Sequence, residues 1–190
     1  MPSNFPPEML REIPLFRDLT VDEIEELLAV ADDRDYRVDE TIFHEGGHDR
    51  ALYAIFDGKV QIVLPTPAFE ETVVTTLGPG CVFGESTFFH AAPHVATGRC
   101  LTSVLVVRLP RERYDQLLHR GSLAAYKLAA NAAVILAHRL QETDRWLEDI
   151  LQRHQDAEIA ASWREFRHRI TAVHTLASYG PVGTFVLGAH

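Results

Sequence analysis

The stretch Leu52-Tyr53-Ala54-Ile55-Phe56-Asp57-Gly58-Lys59-Val60 decides the fold. A five-residue apolar run meets Asp57-Gly58, and a second strand-like run, Lys59–Leu64, follows at once. Asp-Gly tolerates the positive φ angles of a two-residue turn, so the pattern predicts a β-hairpin. Outward from it the same rhythm continues. Tyr36–Val38, Thr41–Phe43, Glu71–Leu77 and Val104–Leu109 read as further short strands. Glu45-Gly46-Gly47, Pro65-Thr66-Pro67 and Gly78-Pro79-Gly80 punctuate them. Many short strands at this spacing predict a mainly β domain, a roll or sandwich of jelly-roll type.

Helical patterns flank this centre. Residues 1–12, rich in proline, read as an extended arm with at most one helical turn near Glu8–Glu12. Thr20 followed by Glu23 is a capping box, and Ile24, Leu27, Leu28 and Ala31 give the helix behind it one apolar face. From Ser122 to Tyr179 there is neither glycine nor proline. Tyr126, Ala129, Ala133, Leu136, Leu140, Thr143, Leu147 and Ile150 recur at alternating spacings of three and four, a heptad seam suited to a helix–helix interface. A second stripe, Ile159, Trp163, Phe166, Ile170 and Val173, changes phase near His154–Asp156. Trp163, Phe166 and Ile170 are the candidate surface for docking a partner protein. The division expected is an arm at 1–12, a β-roll at 13–120, a long helix at 121–155, and a C-terminal helix and tail at 156–190.

Composition narrows the function. The 190 residues carry a formal net charge of −9 and no dense Lys/Arg run, unfavourable for direct binding to a phosphate backbone. The start lacks the basic and apolar regions of a signal peptide, and no apolar run reaches membrane-spanning length. Cys81 and Cys100 lack metal-type or disulfide spacing and fit a reducing cytoplasm. His44 and His48, and His90 and His94, are each four apart but have no accompanying metal-donor set. No Gly-x-Ser-x-Gly, Walker loop or paired carboxylates point to catalysis, so the expectation is a protein that is not an enzyme, with no metal and no resident cofactor.

Helix, β-roll and long helix in this order resemble the cyclic-nucleotide-binding domain family. Ile13-Pro14-Leu15-Phe16 with Leu19-Thr20, Glu45-Gly46-Gly47, the Tyr53–Val60 run, Leu77-Gly78-Pro79-Gly80 and Phe83-Gly84-Glu85 are similar to that family's landmarks, in register. Arg139–Thr143 is similar to the dimer helix of its catabolite activator (Crp-Fnr) branch. The match covers residues 13–155, about three quarters of the chain.

The resemblance implies a non-enzymatic regulatory domain, a homodimer seam along the long helix, and a cyclic nucleotide as effector. It implies a phosphate-binding cassette in which Gly84 lets backbone approach the ligand and Glu85 accepts the ribose 2′-hydroxyl. Nine residues on, where the family carries arginine, then Ser/Thr, then alanine, this chain has His94, Val95 and Ala96. An imidazole cannot make the bidentate fork of a guanidinium. Charge-assisted contacts contribute roughly 1.5–3 kcal/mol each, so the substitution weakens an ordinary cyclic-phosphate site. Thr143 on the long helix would read ligand across the dimer. Three readings stay open: a ligand sensor with an altered cassette at Gly84, Glu85, His94, Val95, Ala96 and Thr143; a vestigial pocket on a dimeric interaction scaffold; and a transcription regulator acting with a DNA-binding partner.

Overall fold

The computed structural model describes residues 5–66, 69–154, 161–163 and 165. Two compact units divide inside the long helix, residues 1–137 and 138–190. The first unit begins with α1 (Pro7–Arg11), a 3-10 turn (Pro14–Phe16) and α2 (Val21–Leu28). Strands β1 (Asp32–Tyr36), β2 (Thr41–Phe43), β3 (Ala51–Asp57), β4 (Val60–Thr66), β5 (Phe69–Leu77) and β6 (Val82–Phe83) follow. Then come α3 (Glu85–Phe89), β7 (Thr97–Cys100), β8 (Val104–Pro110), α4 (Arg111–His119) and α5 (Leu123–His154). Helix α2 starts as its sequence predicts: the Thr20 hydroxyl accepts from Glu23 N, and the Glu23 carboxylate accepts from Thr20 N.

The strands form two antiparallel four-stranded sheets, ordered β1-β8-β3-β6 and β2-β7-β4-β5. This corrects the hairpin expected at Asp57-Gly58: β3 and β4 do not pair, and the turn carries the chain from one sheet to the other. A second crossing, between β7 and β8, lies against it. Lys59 N donates to Thr102 Oγ1, and Leu101 N donates to Lys59 O. The approach is so close that a Cβ on Gly58 (φ +87°) would lie 2.1 Å from Ser103 O. Glycine is required there by proximity as well as by φ. The first strand also differs, spanning Asp32–Tyr36 instead of Tyr36–Val38.

Strand β3 reads as a continuous apolar run because both of its faces are covered. Ala51, Tyr53 and Ile55 point into the roll with Phe43, Val60, Phe83, Cys100, Val104 and Val106. Leu52 and Ala54 point the other way, with Val107 and Leu109, under a layer made of α1, α2, α4 and the start of α5. Ala124, Ala125, Leu128 and Ala132 bury the inner face of α5 in that layer. Burial holds the Cys100 thiol up at about 11, an inert neutral group, while Cys81 is half-buried. Among the described residues no helix is long and apolar enough to cross a membrane.

Asp32 is the main buried charge. Arg34, Arg108 and Arg113 all bond its carboxylate. Burial raises its pKa, but the three guanidiniums outweigh burial and hold it below the ordinary carboxylate value.

Candidate functional site: the cassette between β6 and β7

Gly84 opens the site. Its φ is +83°, and a Cβ there would lie 2.5 Å from Ala51 O and 3.1 Å from the Tyr53 ring. Only glycine permits this approach of α3 to β3. Glu85 follows, half-buried in the first turn of α3. The other end of α3 is clamped. Arg50 donates to Thr87 O through Nε and to Phe88 O through Nη2, both at 3.0 Å. Arg111 Nη1 donates to Phe88 O at 2.8 Å, while its Nε bonds Asp115 Oδ1 at 2.7 Å. Burial and the neighbouring Arg111 charge lower the pKa of Arg50.

From this clamp a short route leads to α5. The Arg111 guanidinium lies over the rings of Phe88 and Tyr114, 5.5 and 5.4 Å from their centroids. Tyr114 Oη donates to Ala125 O at 2.8 Å. Burial lifts the Tyr114 phenol to about 12, so it stays a donor.

His94 does not open to solvent. It is 5% exposed, with its ring stacked on Phe43 at 4.1 Å and 12°. Nε2 lies 2.9 Å from Asp49 O and 3.2 Å from Asp49 Oδ1. A carbonyl can only accept, so Nε2 carries the hydrogen. The other Asp49 oxygen accepts from Tyr53 Oη at 3.2 Å. Tyr53 stacks on Phe83 at 5.0 Å, and Phe83 precedes Gly84. The two halves of the cassette are thus anchored on one aromatic cluster. Burial raises the pKa of Tyr53, and that phenol also bonds Arg108.

The remaining candidates are dispersed. Val95 is 70% exposed and Ala96 is buried. Thr143 lies in the second unit, exposed, and donates to Arg139 O at 2.8 Å. Along the seam, Ala129, Leu147 and Ile150 are half-buried. Tyr126, Ala133, Leu136 and Leu140 are exposed, and so is Val134. Trp163 is half-buried; Phe166 and Ile170 lie outside the described residues. His90 is exposed, and among the described residues no group of His, Cys, Asp and Glu could hold a metal ion. Sequence reasoning missed Asp49, Arg50, Arg111 and Tyr114. Only Tyr114 had a local signal, since Pro110 followed by Tyr114, Leu117 and Leu118 has helical spacing.

Comparison with known proteins agrees with this geometry. Residues 33–121 match the sequence model of the cyclic nucleotide-binding domain. A cyclic AMP receptor protein of Thermus thermophilus is 33% identical over 135 residues, covering 71% of this chain and 61% of that protein. A CRP-like cAMP-activated global transcriptional regulator of Mycobacterium tuberculosis is 28% identical over 145 residues, covering 76% and 62%. The crystal structure of the Thermus thermophilus catabolite activator protein has a TM-score of 0.65 at 31% identity, over 72% of this chain and 62% of that one. The N-terminal domain of a Streptomyces coelicolor transcriptional regulator gives 0.63 at 29%, over 73% and 94%. Residues 33–121 therefore carry the cyclic nucleotide-binding domain, and the chain is homologous to Crp-Fnr regulators. It spans about three fifths of the length of these curated relatives.

Proposed function

We propose that this chain is a non-enzymatic, homodimeric regulatory domain of the cytoplasm. Its cassette senses a small anionic ligand of the cyclic-nucleotide class and passes the signal through α5 to the segment beyond residue 155. The observation that most supports this is the route Phe88–Arg111–Tyr114–Ala125, which ties the C-terminal end of the cassette helix to the inner face of α5. A ligand that shifts α3 acts on those bonds, and it can shift the equilibrium only by its differential affinity for the two states.

The dimer reading rests on α5 being apolar on two sides. Its inner face is spent on its own roll, yet Val134 and Leu140 remain 70% and 55% exposed. A stripe of exposed apolar side chains along one helix face is the kind of surface that a second helix covers. A second copy laid along Tyr126, Ala133, Leu136 and Leu140 would cover it.

A second reading, a scaffold with a vestigial pocket, is favoured by the burial of His94 and its engagement with Asp49. The third, a regulator acting with a DNA-binding partner, draws on the transcriptional roles named for the relatives. Isothermal titration with cAMP, cGMP and cyclic dinucleotides separates the first two. Saturable binding abolished by Glu85→Ala supports the sensor. Absence of binding, with partner association lost on Trp163→Ala or truncation after Gln155, supports the scaffold.

A further inference from the structure

We propose that Asp49 sets whether the cassette accepts an anion, because it holds His94 by the atoms with which His94 would read a phosphate. The proposal rests on the cassette being the ligand site.

The Nε2–H of the imidazole has two acceptors, the carbonyl and the Oδ1 of Asp49, and both belong to the same residue. Phe43 covers a ring face. The loop that carries Asp49 is laced to the cassette through the backbone of His94 and through Thr97: Gly46 N donates to His94 O at 2.8 Å, His94 N to Gly47 O at 2.9 Å, and Glu45 N to Thr97 Oγ1 at 3.0 Å. Tyr53 Oη holds the second carboxylate oxygen.

Exposure gives the arrangement a direction. The Asp49 side chain is 44% exposed, whereas that of His94 is 4% exposed. A ligand arriving from solvent meets the carboxylate before the imidazole. An anion is repelled by that charge and must also displace it from Nε2–H. A neutral ligand feels no such repulsion.

The test is isothermal titration of the full chain and its Asp49→Ala, Asp49→Asn and His94→Arg variants with cAMP, cGMP and uncharged adenosine. Asp49→Ala removes the charge and the side-chain acceptor and leaves the backbone carbonyl on Nε2. Asp49→Asn removes the charge alone and keeps the side-chain size, which guards against a folding defect, and thermal melts check each variant. The expected result is cyclic-nucleotide affinity raised about ten- to a hundredfold by Asp49→Ala, the range for one hydrogen bond to a charged group. Asp49→Asn falls between Asp49→Ala and wild type, and adenosine is unaffected. If His94→Arg gains binding while neither Asp49 variant does, the gate is refuted and the ligand site stands. Equal gains for adenosine and cAMP also refute the gate. If no variant binds, His94→Arg included, both the gate and the site reading fall.

Discussion

Replacing Gly84 with alanine should destabilise the domain by about 3 kcal/mol, and Gly80 supplies the control. The two glycines have nearly the same φ, +83° and +82°. An L-residue in that region costs about 1–2 kcal/mol, partly offset by the stiffer unfolded chain. At Gly80 nothing lies within 4 Å of an added Cβ, so Gly80→Ala should cost about 1 kcal/mol. At Gly84 the added Cβ would meet Ala51 O at 2.5 Å, well inside ordinary contact. That oxygen belongs to a buried backbone and cannot swing aside. Such overpacking adds about 1–3 kcal/mol. Urea denaturation followed by circular dichroism reads the difference. With a slope of about 2 kcal/mol/M, the Gly84→Ala midpoint should fall about 1 M below that of Gly80→Ala. If the two variants agree within about 0.5 kcal/mol, the close approach of α3 to β3 is not what requires glycine at 84.

Asp32→Asn removes the negative charge shared by three arginines and turns one acceptor oxygen into a donor; it should cost about 1–3 kcal/mol, moderated by the exposure of Arg34 and Arg113, as read in the same assay. Because the folded-state pKa of Asp32 is depressed, its stabilisation is full above the unfolded value of 3.8 and is lost as pH falls through the folded one. Acid unfolding below about pH 4 should therefore be shallower in the variant. Tyr114→Phe should cost about 1 kcal/mol through the lost bond to Ala125 O. The phenol's pKa is raised from 10 to about 12, so its stabilisation is complete below pH 10 and fades as pH climbs towards 12; alkaline melts of the variant should lack that fall. If α5 pairs as proposed, Leu136→Glu with Leu140→Glu should leave the circular dichroism spectrum intact and yield a monomer by sedimentation equilibrium where the wild type is a dimer.

Parts of this molecule that depend on local chemistry are readable from the chain. The Thr20 cap, the apolar face of α2 and the presence of a long helix at α5 follow from neighbours three and four residues away. Strand β3 is also legible, since burial on both faces leaves an unbroken apolar run. What fails is whatever depends on distant partners. Asp57-Gly58 has the residues of a hairpin, but the crossing at Leu101–Ser103 bonds Lys59 and turns the chain into the other sheet. Strand β6 is two residues long and α3 five, too short for any period to register. His94 was found by its place in the cassette, whereas its burial depends on Phe43 and Asp49, 51 and 45 residues away. Along α5, Tyr126, Ala133, Leu136 and Leu140 are exposed, while the adjoining Ala125, Leu128 and Ala132 stripe packs on the roll.

Amide hydrogen exchange on the wild-type protein, with and without millimolar cAMP or cGMP, tests most directly whether the cassette signals to α5. Sensing predicts ligand-dependent protection changes in α3 and in residues 123–137 together, both lost in Glu85→Ala. Exchange unchanged by either nucleotide, or a change in α3 that never reaches residues 123–137, would contradict it.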